Sequence, residues 1–185
     1  MQKTLQVIRK ADPEFKVSLA GNFHKELEAD IYDYCIPIGA SYPAEVLARR
    51  AQNNLPTTYY TCCTEAFPNT FTFSDPAEAA WMSYYSAKDH LDGYLRWAYN
   101  SWPKEPLLDS RFEAWAGGDT YLVYPGARSS IRFEKLIEGV QAHEKITILR
   151  KEFTDKKNKT GFKKLEKMLS TFNLRDFPEV PAAET

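Results

Sequence analysis

Thr57-Thr58-Tyr59-Tyr60-Thr61-Cys62-Cys63, then Asp75-Pro76-Ala77-Glu78, then Asp92-Gly93-Tyr94-Leu95-Arg96-Trp97-Ala98-Tyr99-Asn100-Ser101-Trp102 follow one another in this chain, and their succession decides the fold. The first run is rich in β-formers. The second opens a helix: Asp75 can cap it, Pro76 suits its first turn, and Glu78 completes a capping box. Ala77, Ala80, Trp81, Tyr84, Ala87 and Leu91 then recur at helical spacing and predict the buried face. The third run returns to a strand pattern over Gly93–Asn100, with Pro103 breaking it beyond. Strand, helix and strand in this order imply a βαβ unit, a parallel sheet and a right-handed crossover.

The same alternation extends upstream. Residues 2–11 read as the end of a helix closed by Asp12-Pro13. Phe15–Gly21 and Tyr32–Gly39 read as strands, Pro37 marking the end of the second. Tyr42-Pro43 opens a helix that runs to about Asn53. Downstream the pattern changes. Leu107–Gly118 is loop-like, and Thr120–Tyr124 reads as a short strand ending in the Pro125-Gly126 turn. Ser129 and Ser130 cap a long helix with Phe133, Leu136, Ile137, Val140 and Ile146 on its apolar side. A last helix carries Phe162, Leu165, Leu169 and Phe172. The expected organisation is a single domain over 1–175, with βα units in 1–104, a loop, a short strand and helices in 105–175, and a tail at 176–185.

The chain has 185 residues, 43% of them apolar and 14% aromatic, which suits one globular domain with a core. Its net charge of −1 gives no electrostatic reason to expect nucleic acid or a membrane as partner. No apolar run is long enough for a membrane helix, and Met1–Lys10 lacks the apolar stretch of a signal peptide, so the localisation stays open. Cys35, Cys62 and Cys63 form no disulfide framework and no zinc spacing, and His24, His90 and His143 are scattered. Neither a metal nor a cofactor is expected.

Four strands followed by helices make half of an eight-stranded barrel, so the fold class expected is α/β, built of parallel (β/α) units of a TIM-like (β/α)8 barrel with carboxyl-terminal helices. Such barrels carry their sites at the carboxyl ends of the strands. That rule selects Gly21-Asn22, Gly39-Ala40-Ser41, Thr61–Glu65 and Trp97–Trp102. Aromatic faces beside an amide suit a sugar, whose apolar face stacks on a ring while the amide bonds hydroxyls. Trp97 reads as the floor of a sugar pocket or as a core tryptophan. Asn100 reads as a hydroxyl or acetamido partner or as a turn residue. Trp102 would stack on sugar or close the barrel mouth. Tyr60 and Cys62 share one strand face. Cys62-Cys63 reads as two reduced thiols or as a vicinal disulfide platform. Tyr99 belongs to the same aromatic stretch, and Asp119 could chelate hydroxyls or cap a turn. Arg96, read as mid-strand, needs a carboxylate partner if it points inward, and Asp33 is the expected one. No catalytic residue is assigned.

The order Tyr59–Cys63, the Pro68-Asn69 loop, Trp81-Met82, Asp92–Asn100, Gly118–Gly126 and Ser130-Ile131-Arg132-Phe133-Glu134 resembles the carboxyl-terminal half of glycoside hydrolase family 123 catalytic domains over roughly residues 5–150. The resemblance implies the second half of a (β/α)8 barrel and a β-N-acetylgalactosaminidase that works by substrate-assisted retention. There an adjacent Asp-Glu pair at the end of the fourth strand orients the acetamido group and donates the proton, an exception to the two-carboxylate scheme. That pair should precede this chain's first helix. Glu28 and Asp30 do not match the motif. The expectation is therefore a set of substrate-binding walls for β-linked N-acetylhexosamine without its acid pair, in a family whose full-length members are often exported. The alternative is a non-catalytic carbohydrate-binding or assembly module. Half a barrel exposes sheet edges, so either a homodimer or a partner chain supplying the missing half is expected.

Overall fold

The computed structural model of the chain describes residues 1–174; the tail expected at 176–185 lies outside them. The elements are α1 (Gln2–Ala11), β1 (Ser18–Ala20), β2 (Asp33–Pro37), α2 (Ala44–Gln52), β3 (Thr57–Tyr60), α3 (Pro76–Lys88), β4 (Gly93–Leu95), α4 (Ile131–Asp155) and α5 (Lys159–Leu169). The four strands form one parallel sheet in the order β1-β2-β3-β4. The chain is thus mixed α/β, as the alternation of periods predicts. Among the described residues no helix is long and apolar enough to cross a membrane.

The chain folds as two compact units. Met1–Tyr60 with Leu91–Leu95 make the first, and Thr61–His90 with the described residues from Arg96 onward make the second.

The sheet belongs to the first unit. Tyr34, Cys35 and Ile36 of β2 are all buried, as expected of a central parallel strand covered on both faces. Burial pushes the Cys35 thiol up to about 11, so it stays protonated and inert. Asp92 accepts from the Thr57 amide at 2.7 Å and its hydroxyl at 2.9 Å, while the Asp92 amide donates back to Thr57 O at 2.7 Å. That exchange sets the register of β4 on β3. After β1, an aromatic cluster fixes the Gly21–His24 loop. Tyr34 Oη donates to Asn22 O at 3.0 Å and accepts from the His24 amide at 2.9 Å, while Tyr42 Oη donates to Tyr34 O at 2.6 Å. Phe23 packs on both rings at 5.6 and 5.7 Å.

Arg50 of α2 is fully buried. Its guanidinium donates to Ile31 O at 3.0 Å, to Tyr32 O at 2.7 Å and to Pro56 O at 2.7 Å, and reaches Glu28 Oε1 at 3.3 Å. Glu28, also buried, accepts in addition from Arg49. One side chain thereby serves the carbonyls just before β2 and β3, of which Pro56 O also accepts from the Tyr34 amide at 3.2 Å.

In the second unit α3, α4 and α5 pack on one another. The capping box forms as expected, with Asp75 accepting from Ala77 and Glu78 Oε1 accepting from the Asp75 amide at 2.9 Å. The buried face is broader than the spacing predicts. Ala77 is exposed, whereas Glu78, Ala79, Met82, Ser83, Tyr85 and Ser86 are buried with Trp81 and Ala87. Small residues let α4 approach closely: a Cβ on Gly139 would come within 2.8 Å of Ala80 O and 2.9 Å of its Cα. The long helix also differs from expectation. Ile146 is buried, but Ile137 and Val140 are exposed. Ala87, Ile146, Leu165 and Leu169 form the core of the three helices, with Phe153 and Tyr84 against it.

The expected strand Gly93–Asn100 stops at Leu95. Beyond it the backbone changes partner: Leu122 N donates to Tyr99 O at 2.8 Å, Ser101 N donates to Thr120 O at 3.0 Å, and Asn100 bridges Tyr121 antiparallel. For the same reason Thr120–Tyr124 is not a strand. It contributes only this bridge and the turn bridge from Tyr124 to Arg128.

Because Arg50 serves three carbonyls and a buried carboxylate, Arg50→Ala is expected to cost roughly 3–5 kcal/mol, read as a lowered urea midpoint by circular dichroism. Lysine at this position should recover little, since a single ammonium cannot span the same acceptors. A midpoint unchanged in Arg50→Ala would show that the carbonyls find water instead.

Candidate functional site

The second unit holds most of the site residues expected from the sequence. Its centre is an arrangement of two arginines, one aspartate and a glycine carbonyl. Arg96 and Arg132 both donate to Gly118 O, at 3.5 and 2.8 Å. Arg96 also reaches Asp119 Oδ1 at 3.2 Å, the Asp119 carbonyl, and Asn69 Oδ1 at 3.5 Å. Arg132 donates to Thr70 O as well. All of these side chains are buried, Arg96 at 6% and Asp119 at 0% exposure. Burial lowers the Arg132 pKa, and nearby Arg96 adds to that, because one carboxylate offsets only one of the two cations. Gly118 has φ of +75°, and a Cβ there would meet Arg132 Nη1 at 2.6 Å, so the position requires glycine.

This corrects the expected partner of Arg96. It lies one residue past β4 and pairs with Asp119, whereas Asp33 of the first unit accepts from Thr58 Oγ1 at 3.0 Å. Asp119 is turned inward. Its Oδ1 also accepts from the Trp97 indole at 3.3 Å, so the carboxylate orients a tryptophan, and its burial denies it direct contact with a ligand hydroxyl.

Trp97 is 46% exposed and Trp115 40%. Their rings lie 5.2 Å apart and tilted by 40°. Together they form an open aromatic surface held from beneath by Asp119. Trp115 was not among the expected site residues. Its signal was the aromatic in a loop just before Gly117-Gly118, which sequence alone cannot bring to Trp97. Tyr99 is exposed, with its ring 5.7 Å from Phe133. Asn100 is exposed beside it. Trp102 donates its indole N–H to Val123 O at 2.7 Å and is partly exposed.

Cys62 and Cys63 stand in the turn after β3 as thiols, not as a disulfide. Cys62 is half-buried and lies 3.1 Å from Thr64 Oγ1. Burial raises the Cys63 thiol, and Cys62 and Asp119 push it the same way. The turn is closed by Glu65, which accepts from the Cys62 amide at 2.6 Å and from Thr64 Oγ1 at 2.9 Å. Burial acts to raise the Glu65 pKa, but these hydrogen bonds outweigh it and hold the carboxyl below its usual value. Glu65 is therefore an acceptor in this turn, not a proton donor near neutral pH. Asn69, fully buried and unassigned by sequence reasoning, donates to Cys62 O at 2.8 Å and Glu65 O at 2.7 Å. It ties that turn to Arg96. Tyr60 ends β3 in the first unit, half-buried. Among the described residues no three His, Cys, Asp or Glu side chains gather as a metal site would need.

Residues 1–149 match the family model described as glycoside hydrolase 123, catalytic domain. A solved structure from work on glycolipid glycan hydrolysis, a family 123 glycoside hydrolase from Clostridium perfringens, is similar with a TM-score of 0.73 and 29% identity. The similarity covers 85% of this chain and 30% of that one, so the chain spans about a third of its length. No curated protein matches.

Asp119→Ala removes the one carboxylate that pairs with Arg96 among the described residues. It is expected to lower stability by roughly 3 kcal/mol or more in urea and to alter Trp97 emission as the indole loses its acceptor. Asp119→Asn keeps an acceptor and should alter the emission less. Unfolding of Asp119→Ala at the parent midpoint with unchanged emission would contradict the described geometry.

Proposed function

The chain belongs to the glycoside hydrolase 123 catalytic-domain family, and from that premise we propose that it supplies the sugar-binding walls of a site for β-linked N-acetylhexosamine, N-acetylgalactosamine in particular. The observation that carries the reading is the open Trp97–Trp115 pair with Asp119 fixing one indole. The apolar face of a pyranose stacks on such rings, and Asn100, Tyr99 and Trp102 lie on the same stretch to meet its hydroxyls and acetamido group. Tyr60 and Cys62 belong to the reading as residues at the carboxyl end of β3, where barrel sites are built. The fold in this reading is the second half of a (β/α)8 barrel. Its sheet ends in β1 and β4, two edges that a second copy or another chain supplying the remainder would cover.

Proton transfer is not assigned to these residues. No Asp-Glu dipeptide occurs in the sequence, and Glu65 is held ionised. Protonating a glycosidic oxygen needs a carboxyl with a raised pKa facing the substrate. Glu78 is raised by burial, but its oxygens accept from the Asn69 and Asp75 amides. These observations favour, as the second reading, a module that binds carbohydrate without cleaving it.

N-Acetylgalactosamine is expected to change the tryptophan emission of this chain on titration. Trp97→Ala and Trp115→Ala should each weaken binding roughly fivefold, the worth of one stacked ring at about 1 kcal/mol. An aryl N-acetyl-β-galactosaminide should not be turned over. Binding unaffected by either substitution would remove the platform reading, and turnover abolished by replacing one of the chain's own carboxylates would remove the view that it lacks an acid.

A further inference from the structure

We propose that the solvent face of α5 is a docking surface for an anionic phospholipid bilayer. Residues 156–167 contain Lys156, Lys157, Lys159, Lys163, Lys164 and Lys167 against Glu166 alone, a net charge of +5. The whole chain carries −1, so the remainder carries −6. The near-neutral total, which gave no reason to expect a charged partner, conceals a segregated distribution.

The geometry keeps this charge available. Glu166 is turned aside by Arg150, whose Nε and Nη2 donate to it at 2.7 and 3.0 Å. The two acids at the end of α4 are also occupied, Glu152 by Lys156 and Asp155 by Lys151. Among the described residues no carboxylate pairs with Lys157, Lys159, Lys163, Lys164 or Lys167, and all five side chains are exposed. Lys159, Lys163 and Lys167 recur every fourth residue along one face. With Thr160 and Lys164 they line an open hollow of about 330 Å³. The first turn of α5 has no acid, so its lysines stand at the helix end where the dipole disfavours cations. A partner that brings negative charge relieves that opposition.

The chemistry favours a lipid surface. The cationic face has no arginine to grip a phosphate bidentately and no aromatic ring to stack on a base, the two devices that nucleic-acid sites use. It has Met168 at its edge, 47% exposed, an apolar tip that can enter the headgroup layer. Leu165 and Leu169 are buried in the helix core, so α5 lies on the surface without inserting. A flat anionic sheet meets the lysines alone, whereas a polymer that wraps the chain would also meet the remainder at −6. Helix α4 is roughly 37 Å long at 1.5 Å per residue. Its amino-terminal end carries Arg132 of the cluster beneath Trp97, and its carboxyl-terminal end meets α5 through Arg150. A bilayer under α5 therefore leaves the aromatic surface clear.

Co-sedimentation with vesicles tests this. The full chain should sediment with phosphatidylcholine vesicles containing phosphatidylserine, fail to do so with phosphatidylcholine alone, and be released by salt. The combined substitution Lys159→Glu, Lys163→Glu, Lys164→Glu and Lys167→Glu should weaken binding at least about 100-fold, while Trp97→Ala leaves it unchanged. If the reversal disturbs the helical circular-dichroism signal, the same four positions changed to Gln, which removes charge without adding repulsion, give the reading, and loss of binding is again expected. No sedimentation with the anionic vesicles, binding that survives neutralisation of the four lysines, or tighter binding to duplex DNA than to the vesicles would each overturn the proposal.

Discussion

The Gly118 carbonyl, accepting from two buried guanidinium groups, is the constraint on which the second unit depends. Long loops cannot satisfy their own carbonyls, and a buried carbonyl without a partner costs about as much as a lost hydrogen bond. Arg96 and Arg132 solve this for the segments 69–70 and 118–119, which no sheet ladder reaches. Their fixed forks set where those loops lie, and Asp119 offsets one charge. Once the loops are fixed, the position of Trp97 follows, because its indole bonds the same carboxylate. A surface aromatic is thus oriented by a buried ion pair. Gly118 has to be glycine both for its backbone angle and for the space the guanidinium takes.

The first unit uses the same device independently. Arg50 gathers the carbonyls of Ile31, Tyr32 and Pro56 ahead of the strands, with Glu28 as counter-ion. Strands of three to five residues cannot by themselves hold the connections that feed them. A buried arginine with several oxygen acceptors supplements the ladder at the cost of desolvating its charge, which Glu28 offsets for Arg50 and Asp119 for Arg96, while Arg132 relies on carbonyls.

What could be read from the sequence follows from how local each determinant is. The alternation of strand and helix, the capping box at Asp75–Glu78 and the helix core at Leu165 and Leu169 depend on neighbours within a few residues, and all were legible. The end of β4 was not. Nothing in Gly93–Asn100 says that the backbone leaves β3 after Leu95 to join residues 120–122, because that choice is made by a segment some twenty-five residues away. The pairing of Arg96 with Asp119 failed for the same reason, and so did the encounter of Trp97 with Trp115. Asp119 read equally as ligand or cap, and only burial distinguishes a carboxylate facing a hydroxyl from one holding an indole. Ile137 and Val140 read as core because they are apolar and well spaced, yet the covered stripe of α4 is Arg132, Gly139 and Ile146, seven residues apart, and these two fall beside it.

The site's chemistry turns on where its carboxylates spend their lone pairs. Glu65 accepts from an amide and a hydroxyl, Glu78 from two amides, and Asp119 from an arginine and an indole. Each is committed to holding backbone or an aromatic ring in place. These contacts fix the turn at Cys62–Glu65, the start of α3 and the Trp97 indole. What they leave exposed is a rigid aromatic face: Trp97 is held through its indole while its ring lies 5.2 Å from that of Trp115.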